Sequence, residues 1–435
     1  MKTATDALAT TLERELDAGA VESDPQSLHA YAVDGKSPAL VCIPRGPEQV
    51  GAAVRICAEA GASVIPWGGG TAQGLGNIPR QVDVVIRMDR LALLVEHDDA
   101  NLTASAQAGM KVATLQEISG QRNQFLAVDP PHPRQASIGG LVAANTNGVR
   151  RMSYGSVRDL VIGMKMVLAT GEHIKAGGKV VKNVAGYDMC KLFVGSLGTL
   201  GIITEVTFKM APVPESAATV VARGPLVGTV QLGEEIIRSP LLPAAVAILN
   251  REAAQATQVA PETPAAAVWA EGFEEAVARH LRDVREMAEK IGLAAEILRE
   301  ERHRRLWERV RDFGADGDGV LYRITVPLAS VAEVVRAIEQ WRAGEHPART
   351  IVHAGSGTLW VLVDASRAGA ELFPRLTALA RQHGGHAIMA AAPPALKEGV
   401  DIWGAPPSGV SIMREVKRQF DPQGILNPGR FMAGL

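Results

Sequence analysis

Leu8, Leu12 and Leu16 recur every four residues between polar positions and predict an amphipathic opening helix that ends near Gly19. The apolar run 39–43 reads as a strand. Pro47 then opens a helix whose buried face is Val50, Ala53, Val54 and Cys57, and Gly61 stops it. A second strand, 63–66, empties straight into a glycine turn. That order places the turn at a strand's C-terminal end, where open α/β units bind ligands.

Short β-branched runs fill 82–110, a helical pattern fills 112–122, and Ser137 reads as the N-cap of a helix over 138–145. Segments 161–168 and 173–175 predict a hairpin around Thr170 and Gly171, and a helix over 185–194 leads into a strand over 201–209. Past Pro212 and Pro214 the pattern changes. From 218 to about 392 it runs β-α-β-β-α-β twice, with an extra helix at 303–312 between the copies, which predicts two ferredoxin-like units sharing one antiparallel sheet with helices on one side. The charged face of 274–289 reads as solvated surface. Ile412, Met413, Val416 and Phe420 fall at helical spacing and predict a closing helix that packs back on the first domain. The resulting division is 1–35 as a lead-in, 36–214 and 215–395 as two domains, and 396–435 as a returning tail.

Composition narrows the classes. The chain has 435 residues, 47% of them hydrophobic, and a formal net charge of −2. Acids and bases are interspersed, so charge gives no argument for nucleic acid or an anionic membrane. Cys42, Cys57 and Cys190 are odd in number and widely spaced, against a disulfide framework, a zinc site or cysteine-held iron–sulfur clusters. The first residues lack the apolar core of a secretory signal, and no apolar run approaches the roughly 18 to 20 residues that span a bilayer. A cytoplasmic protein is expected, with any membrane association supplied by a partner rather than by direct insertion.

Three glycine-rich turns carry the candidate chemistry: Pro66-Trp67-Gly68-Gly69-Gly70-Thr71-Ala72-Gln73-Gly74, then Ser137-Ile138-Gly139-Gly140 running to Asn147-Gly148, then Gly195-Ser196-Leu197-Gly198-Thr199-Leu200-Gly201. Successive N–H groups in such turns form anion-binding nests, and three of them suggest one large phosphate-bearing cofactor. The dinucleotide fingerprint fails by register, because the sixth position from Gly68 is Gln73 and the glycine arrives late at Gly74. The phosphate loop of kinases and ATPases fails as well, since Gly178-Lys179 is followed by Val180.

These turns, with Tyr154-Gly155-Ser156-Val157-Arg158-Asp159-Leu160, the run Gly177-Gly178-Lys179-Val180-Val181-Lys182-Asn183-Val184-Ala185-Gly186-Tyr187-Asp188 and Gly198 to Glu205, resemble the flavin domain of the vanillyl-alcohol oxidase and p-cresol methylhydroxylase superfamily. Within it the chain is most similar to the FAD-binding subunits of bacterial glycolate oxidases. The likeness spans about 36–431, through His353-Ala354-Gly355-Ser356-Gly357 and Asp421-Pro422-Gln423-Gly424-Ile425-Leu426-Asn427-Pro428-Gly429-Arg430. It implies an α+β, PCMH-type FAD-binding fold of two subdomains with an α/β cap.

The resemblance also implies that Pro66, Trp67, Gly68, Gly69, Gly70, Thr71 and Gly74 wrap the FAD diphosphate. Ser137, Ile138, Gly139, Gly140, Asn145 and Gly148 would contact diphosphate and ribityl, with Tyr154, Gly155 and Val157 on the adenine side. Gly201 would permit close approach, Ile202 and Ile203 would meet the cofactor through their backbone, and Asn427 would reach it from the tail. A charge-assisted hydrogen bond is worth about 1.5–3 kcal/mol. Four or five backbone donors from Gly68–Thr71 and Ser137–Gly140 would therefore supply much of the roughly 8–12 kcal/mol of micromolar to nanomolar binding. Non-covalent FAD is expected: the first turn has no histidine or cysteine to tether it, and the nearest candidate, His132, sits between Pro131 and Pro133. Lys179 and Lys182 could face reduced flavin, phosphate or solvent.

Oxidation of a 2-hydroxy acid needs a base for the hydroxyl proton and a cation for the carboxylate. In the relatives that catalyse it, a His-Ala-Gly-Asp-Gly-Asn-x-His motif and a later Gly-Glu-His-Gly bind a divalent metal and act on substrate. Here the first reads His353-Ala354-Gly355-Ser356-Gly357-Thr358-Leu359-Trp360, and the second leaves only His386 in Gly384-Gly385-His386-Ala387. No metal is expected from His353 and His386 alone, since divalent sites collect three or more protein ligands. The expected role is a subunit of a glycolate oxidase complex, beside a catalytic FAD subunit and an iron–sulfur subunit. Two alternatives stay open: a self-sufficient 2-hydroxy-acid dehydrogenase using His353, His386 and a basic residue such as Arg323, and a cofactor-free scaffold.

Overall fold

Leu12 and Leu16 are buried on one side of the opening helix, Lys2–Leu16, which packs on helix Pro47–Glu59. The computed structural model describes residues 2–179, 187–317, 319–342 and 347–435. Both helices cover a four-stranded sheet ordered Val21–Glu22, Leu40–Cys42, Val84–Arg87, Val64–Trp67, its last three strands parallel. Strand Val64–Trp67 delivers the first glycine turn from its C-terminal end, as the pattern predicts.

A second, antiparallel sheet runs Leu94–Asp98, Thr103–Gln107, Ile202–Lys209, Val161–Val167, His173–Gly177. One continuous apolar cluster joins the two sheets, from Leu12 and Val54 to Met166 and Phe208. Of the helix expected over 185–194, the described part is Cys190–Phe193; the first residues of that expectation, and Lys182, lie outside the described residues.

The largest sheet has eight strands, all antiparallel, ordered Ala294–Arg299, Ser216–Arg223, Ala265–Gly272, Ala245–Leu249, Arg349–His353, Thr358–Val363, Val320–Thr325, His386–Ala391. Each four-strand half is a ferredoxin-like unit, and the halves join edge to edge where Ala247 pairs with His353. Helices Leu226–Arg238, Glu274–Lys290, Val331–Arg342 and Gly369–Gln382 line one face. The other face departs from the one-sided expectation. Helix Glu300–Arg311 and a short helix, Arg251–Ala256, cover part of it through Leu306, Trp307, Ala253 and Ala254, and the rest looks toward the glycine turns.

The tail returns as expected, with a correction to its packing face. Val416 and Phe420 rest on the first core, and Phe193 meets Phe420 edge to face at 5.5 Å, yet Ile412 is exposed. Lys417 is buried in its place, because three acceptors await it: Asp421 Oδ2 at 2.5 Å, Thr199 O at 2.7 Å and Leu426 O at 2.9 Å. Just beyond, Asn427 N–H donates to Val64 O (2.8 Å), so the tail lies alongside the strand that feeds the first turn.

Candidate cofactor site and the adjoining cleft

The three glycine turns converge on one cavity of about 720 Å³. Its walls include Pro66, Gly68, Gly69, Gly70 and Thr71 from the first turn, Ser137, Gly139 and Gly140 from the second, Gly201, Ile202 and Ile203 from the third, and Asn427 and Arg430 from the tail. Gly70 has φ +75°, a conformation that suits glycine, and it lies against the Trp67 ring. Trp67 itself packs edge-on to Tyr31, behind the turn.

Among the described residues, the N–H groups of Gly68, Gly69, Gly70, Thr71 and Ala72 have no protein acceptor. Five consecutive free donors on a cavity wall are the chemistry of an anion cradle. The buried Asn427 Oδ1 is also unpartnered, while its Nδ2 donates to Leu197 O. The residues present therefore fit a diphosphate-bearing group.

The second turn behaves differently from expectation. Ser137 caps its helix by accepting from Gly140 N–H at 3.2 Å, Ile138 N–H donates to Met110 O and Gly139 N–H to Ala108 O. The N–H groups of Ile138, Gly139 and Gly140 are thus consumed by the fold. Its glycines give close approach instead, and Ile138 is a core residue.

Gly74 and Gly148 line an adjoining cleft of about 1,100 Å³, between the first domain and the bare face of the eight-stranded sheet. Gly148 also lines a further recess of about 660 Å³ with Asn145, and both spaces share Arg323, His353 and Trp360. The structure thus gathers His353, His386 and Arg323 at one place. Burial drives the His353 imidazole down to about 4, so it is neutral at pH 7, and burial with the nearby Arg323 lowers His386 as well. Burial, then repulsion from Arg151, brings the Arg323 guanidinium down to about 10. Among the described residues no carboxylate lines the recess, whose walls add Ser356, Thr358 and Arg151. Among the described residues, no three His, Cys, Asp or Glu side chains could hold a metal ion.

Other predicted positions fall elsewhere. Tyr154 packs edge-on to Phe125, and burial and Glu271 raise its phenol. Gly155 ends a helical turn at φ +84°, and the buried Val157 donates its N–H to Asn147 Oδ1 at 2.8 Å. His132 lies on a separate groove with its N–H on Asp312, away from the cavity walls just described. Lys179 pairs with Glu96 at the surface. Sequence reading passed over Arg430, although it stands three residues beyond Asn427, and over Arg151 and Asp129.

Two subdomains around a glycine-walled cavity, with a ferredoxin-like cap across the adjoining cleft, define an FAD-binding protein of the p-cresol methylhydroxylase fold. Solved structures agree on the fold: 4-ethylphenol oxidase from Gulosibacter chungangensis superposes with TM-score 0.78 at 16% identity, covering 99% of this chain and 97% of that one. p-Cresol methylhydroxylase gives 0.75 at 16% identity, with 99% and 97% covered. Residues 38–177 match the family described as FAD binding domain, and residues 213–431 match FAD linked oxidases, C-terminal domain. The chain belongs to the FAD-linked oxidase family and is an FAD-dependent oxidoreductase. It is 30% identical to glycolate oxidase subunit GlcD of Bacillus subtilis over 91% of this chain and 89% of that protein. It is 28% identical to glycolate oxidase subunit GlcE of Escherichia coli, with 79% and 85% covered, and 28% identical to a D-lactate dehydrogenase of Archaeoglobus fulgidus, with 91% and 92% covered. No described helix is long and apolar enough to cross a membrane.

Proposed function

We propose that the chain is the FAD-binding subunit of a glycolate oxidase-type complex, holding FAD non-covalently and serving electron transfer rather than the substrate step. The observation that carries this reading is a row of free N–H donors, Gly68 to Ala72, beside a cleft whose two histidines have no third metal ligand among the described residues. Similarity to both GlcD and GlcE supports the multi-subunit setting. Bound FAD supplies the two-electron acceptor. The chain's own residues hold the diphosphate at the first turn, and the cap closes the cleft over it. The partners are a catalytic FAD subunit and an iron–sulfur subunit. In this reading the chain carries no metal and works in the cytoplasm or at a membrane through a partner.

The isolated chain should purify yellow, release all its flavin on acid precipitation and reduce dye little with glycolate. Within the complex, Gly70→Glu should abolish activity and His353→Ala should leave most of it. Robust glycolate turnover by the chain alone would sink the proposal.

One observation favours a second reading, a self-sufficient 2-hydroxy-acid dehydrogenase. Arg323, His353 and His386 line a single acid-free recess, with a cation for a carboxylate and a neutral imidazole for a hydroxyl proton. Activity of the lone chain, lost in His353→Ala, would establish it.

A further inference from the structure

Behind the first glycine turn lies a buried cluster that neither the FAD cavity nor the cleft accounts for. Asp34 comes from the lead-in and Lys397 and Arg430 from the two ends of the tail, and their side chains are at most 5% exposed. Asp34 Oδ1 accepts from Lys397 Nζ at 2.7 Å, and Oδ2 from Arg430 Nη1 at 3.0 Å. The two cations then divide five successive carbonyls between them. Arg430 donates to Gln73 O (2.6 Å), Leu75 O (2.6 Å) and Asn77 O (3.3 Å), while Lys397 takes Gly74 O (2.6 Å) and Gly76 O (3.3 Å).

We propose that Lys397 and Arg430 are positioning residues for the FAD diphosphate. They anchor the outgoing limb of the turn, residues 73–77, so that the free N–H groups of Gly68 to Ala72 stay aimed into the cavity.

Three arguments converge. The donors and the anchored carbonyls are adjacent in the chain, so fixing the second set restrains the first without entropy lost at binding. Two cations against one carboxylate leave a positive charge buried behind the turn, and an anion in front complements it where the local dielectric is low. Arg430 reaches the cavity wall itself, and its buried Nε, unlike its Nη1 and Nη2, has no protein partner among the described residues. Burial lowers both cations, Lys397 and Arg430, against the opposing pull of Asp34, which is what a partly uncompensated pair would show. Because Lys397 follows the cap and Arg430 sits in the tail, cofactor binding and docking of the 397–430 segment are linked reciprocally.

The inference rests on FAD occupying the cavity, so wild-type apoprotein titrated with FAD by flavin fluorescence is the first measurement. Failure there would count against the cofactor reading and leave the cluster unexplained by it. With binding established, Arg430→Met and Lys397→Met are tested for fold by circular dichroism and for competition by ADP and adenosine. We expect FAD and ADP to bind about tenfold more weakly or worse, the loss of at least one charge-assisted hydrogen bond, with adenosine within about twofold of wild type. Unchanged FAD affinity in folded variants, or equal losses for ADP and adenosine, overturns the proposal. Should either variant fail to fold, Arg430→Lys keeps the buried charge but has one nitrogen in place of the two that hold Asp34 and the carbonyls of Gln73, Leu75 and Asn77. It should weaken FAD severalfold, and an unaltered FAD affinity in that folded variant also overturns the proposal.

Discussion

A Cβ added to Gly68 would lie 2.0 Å from Ser137 Oγ, so the first and second glycine turns already touch before any ligand bridges them. The contact matters because that hydroxyl is engaged as the cap of Gly140.

Gly68→Ala must push the turns apart or break the cap, and either displaces the free N–H row. FAD affinity should fall about tenfold or more, equivalent to losing one charge-assisted bond. Gly120→Ala, at a helix end with nothing within 4 Å, is the control and should keep full flavin content. The ratio of flavin to protein absorbance in the purified variants decides it.

Among the described residues Arg323 has no acid beside it in the recess, and burial and Arg151 already strain its charge. A small carboxylate such as glycolate or oxalate should therefore raise the melting temperature of the wild-type protein in a concentration-dependent way. Arg323→Leu should keep its FAD and lose that shift. Equal shifts in both proteins would place the anion elsewhere.

The glycine turns were legible in the chain because their chemistry is local. Strand 63–66, the three glycines after it and the Ser137 cap sit within short windows, and the doubled β-α-β-β-α-β pattern survives because each strand and helix has its own period. What escaped reading depends on partners far away. Met110 and Ala108 silence two N–H groups of the second turn, those of Ile138 and Gly139, and nothing near Ser137 announces them. Lys397 and Arg430 carry no local signal of their role, because the fold alone brings them to Asp34, more than 360 positions from Lys397 in sequence. Ile412 misled for the converse reason: helical spacing predicts a shared face, and it does not say that the core reaches that end of the helix.

Asp129 couples stability to pH. Its carboxyl is raised to about 6 because burial outweighs the Arg150 charge and the N–H bonds from Arg150 and Val149. The folded protein thus holds a proton that the unfolded chain releases. That contribution is full below the ordinary value of 3.8 and is lost as pH rises through 6. Asp129→Asn can still accept from Val149 N–H and has no such titration. Its stability relative to wild type, from urea unfolding, should climb between about pH 4 and 7 and level off above. A difference independent of pH would remove Asp129 from the account.

The last prediction concerns how the cap is held over the first domain. Arg150 of the first domain donates to Glu271 Oε2 of the cap at 3.1 Å, and its guanidinium lies 4.9 Å from the Phe125 ring centroid and 4.2 Å from that of Trp269. Glu271 is only 4% exposed, so Glu271→Ala would leave a cation enclosed by aromatic faces without its counter-charge. Such a break costs about 3–5 kcal/mol, whereas replacing both partners with apolar groups often costs little. Glu271→Ala should therefore destabilise strongly, Glu271→Gln less because it keeps an acceptor, and Arg150→Met combined with Glu271→Ala less than the sum of the singles. A double-mutant cycle in urea measures the coupling. Additive losses would mean that the two charges do not hold the cap together and that the aromatic contacts do.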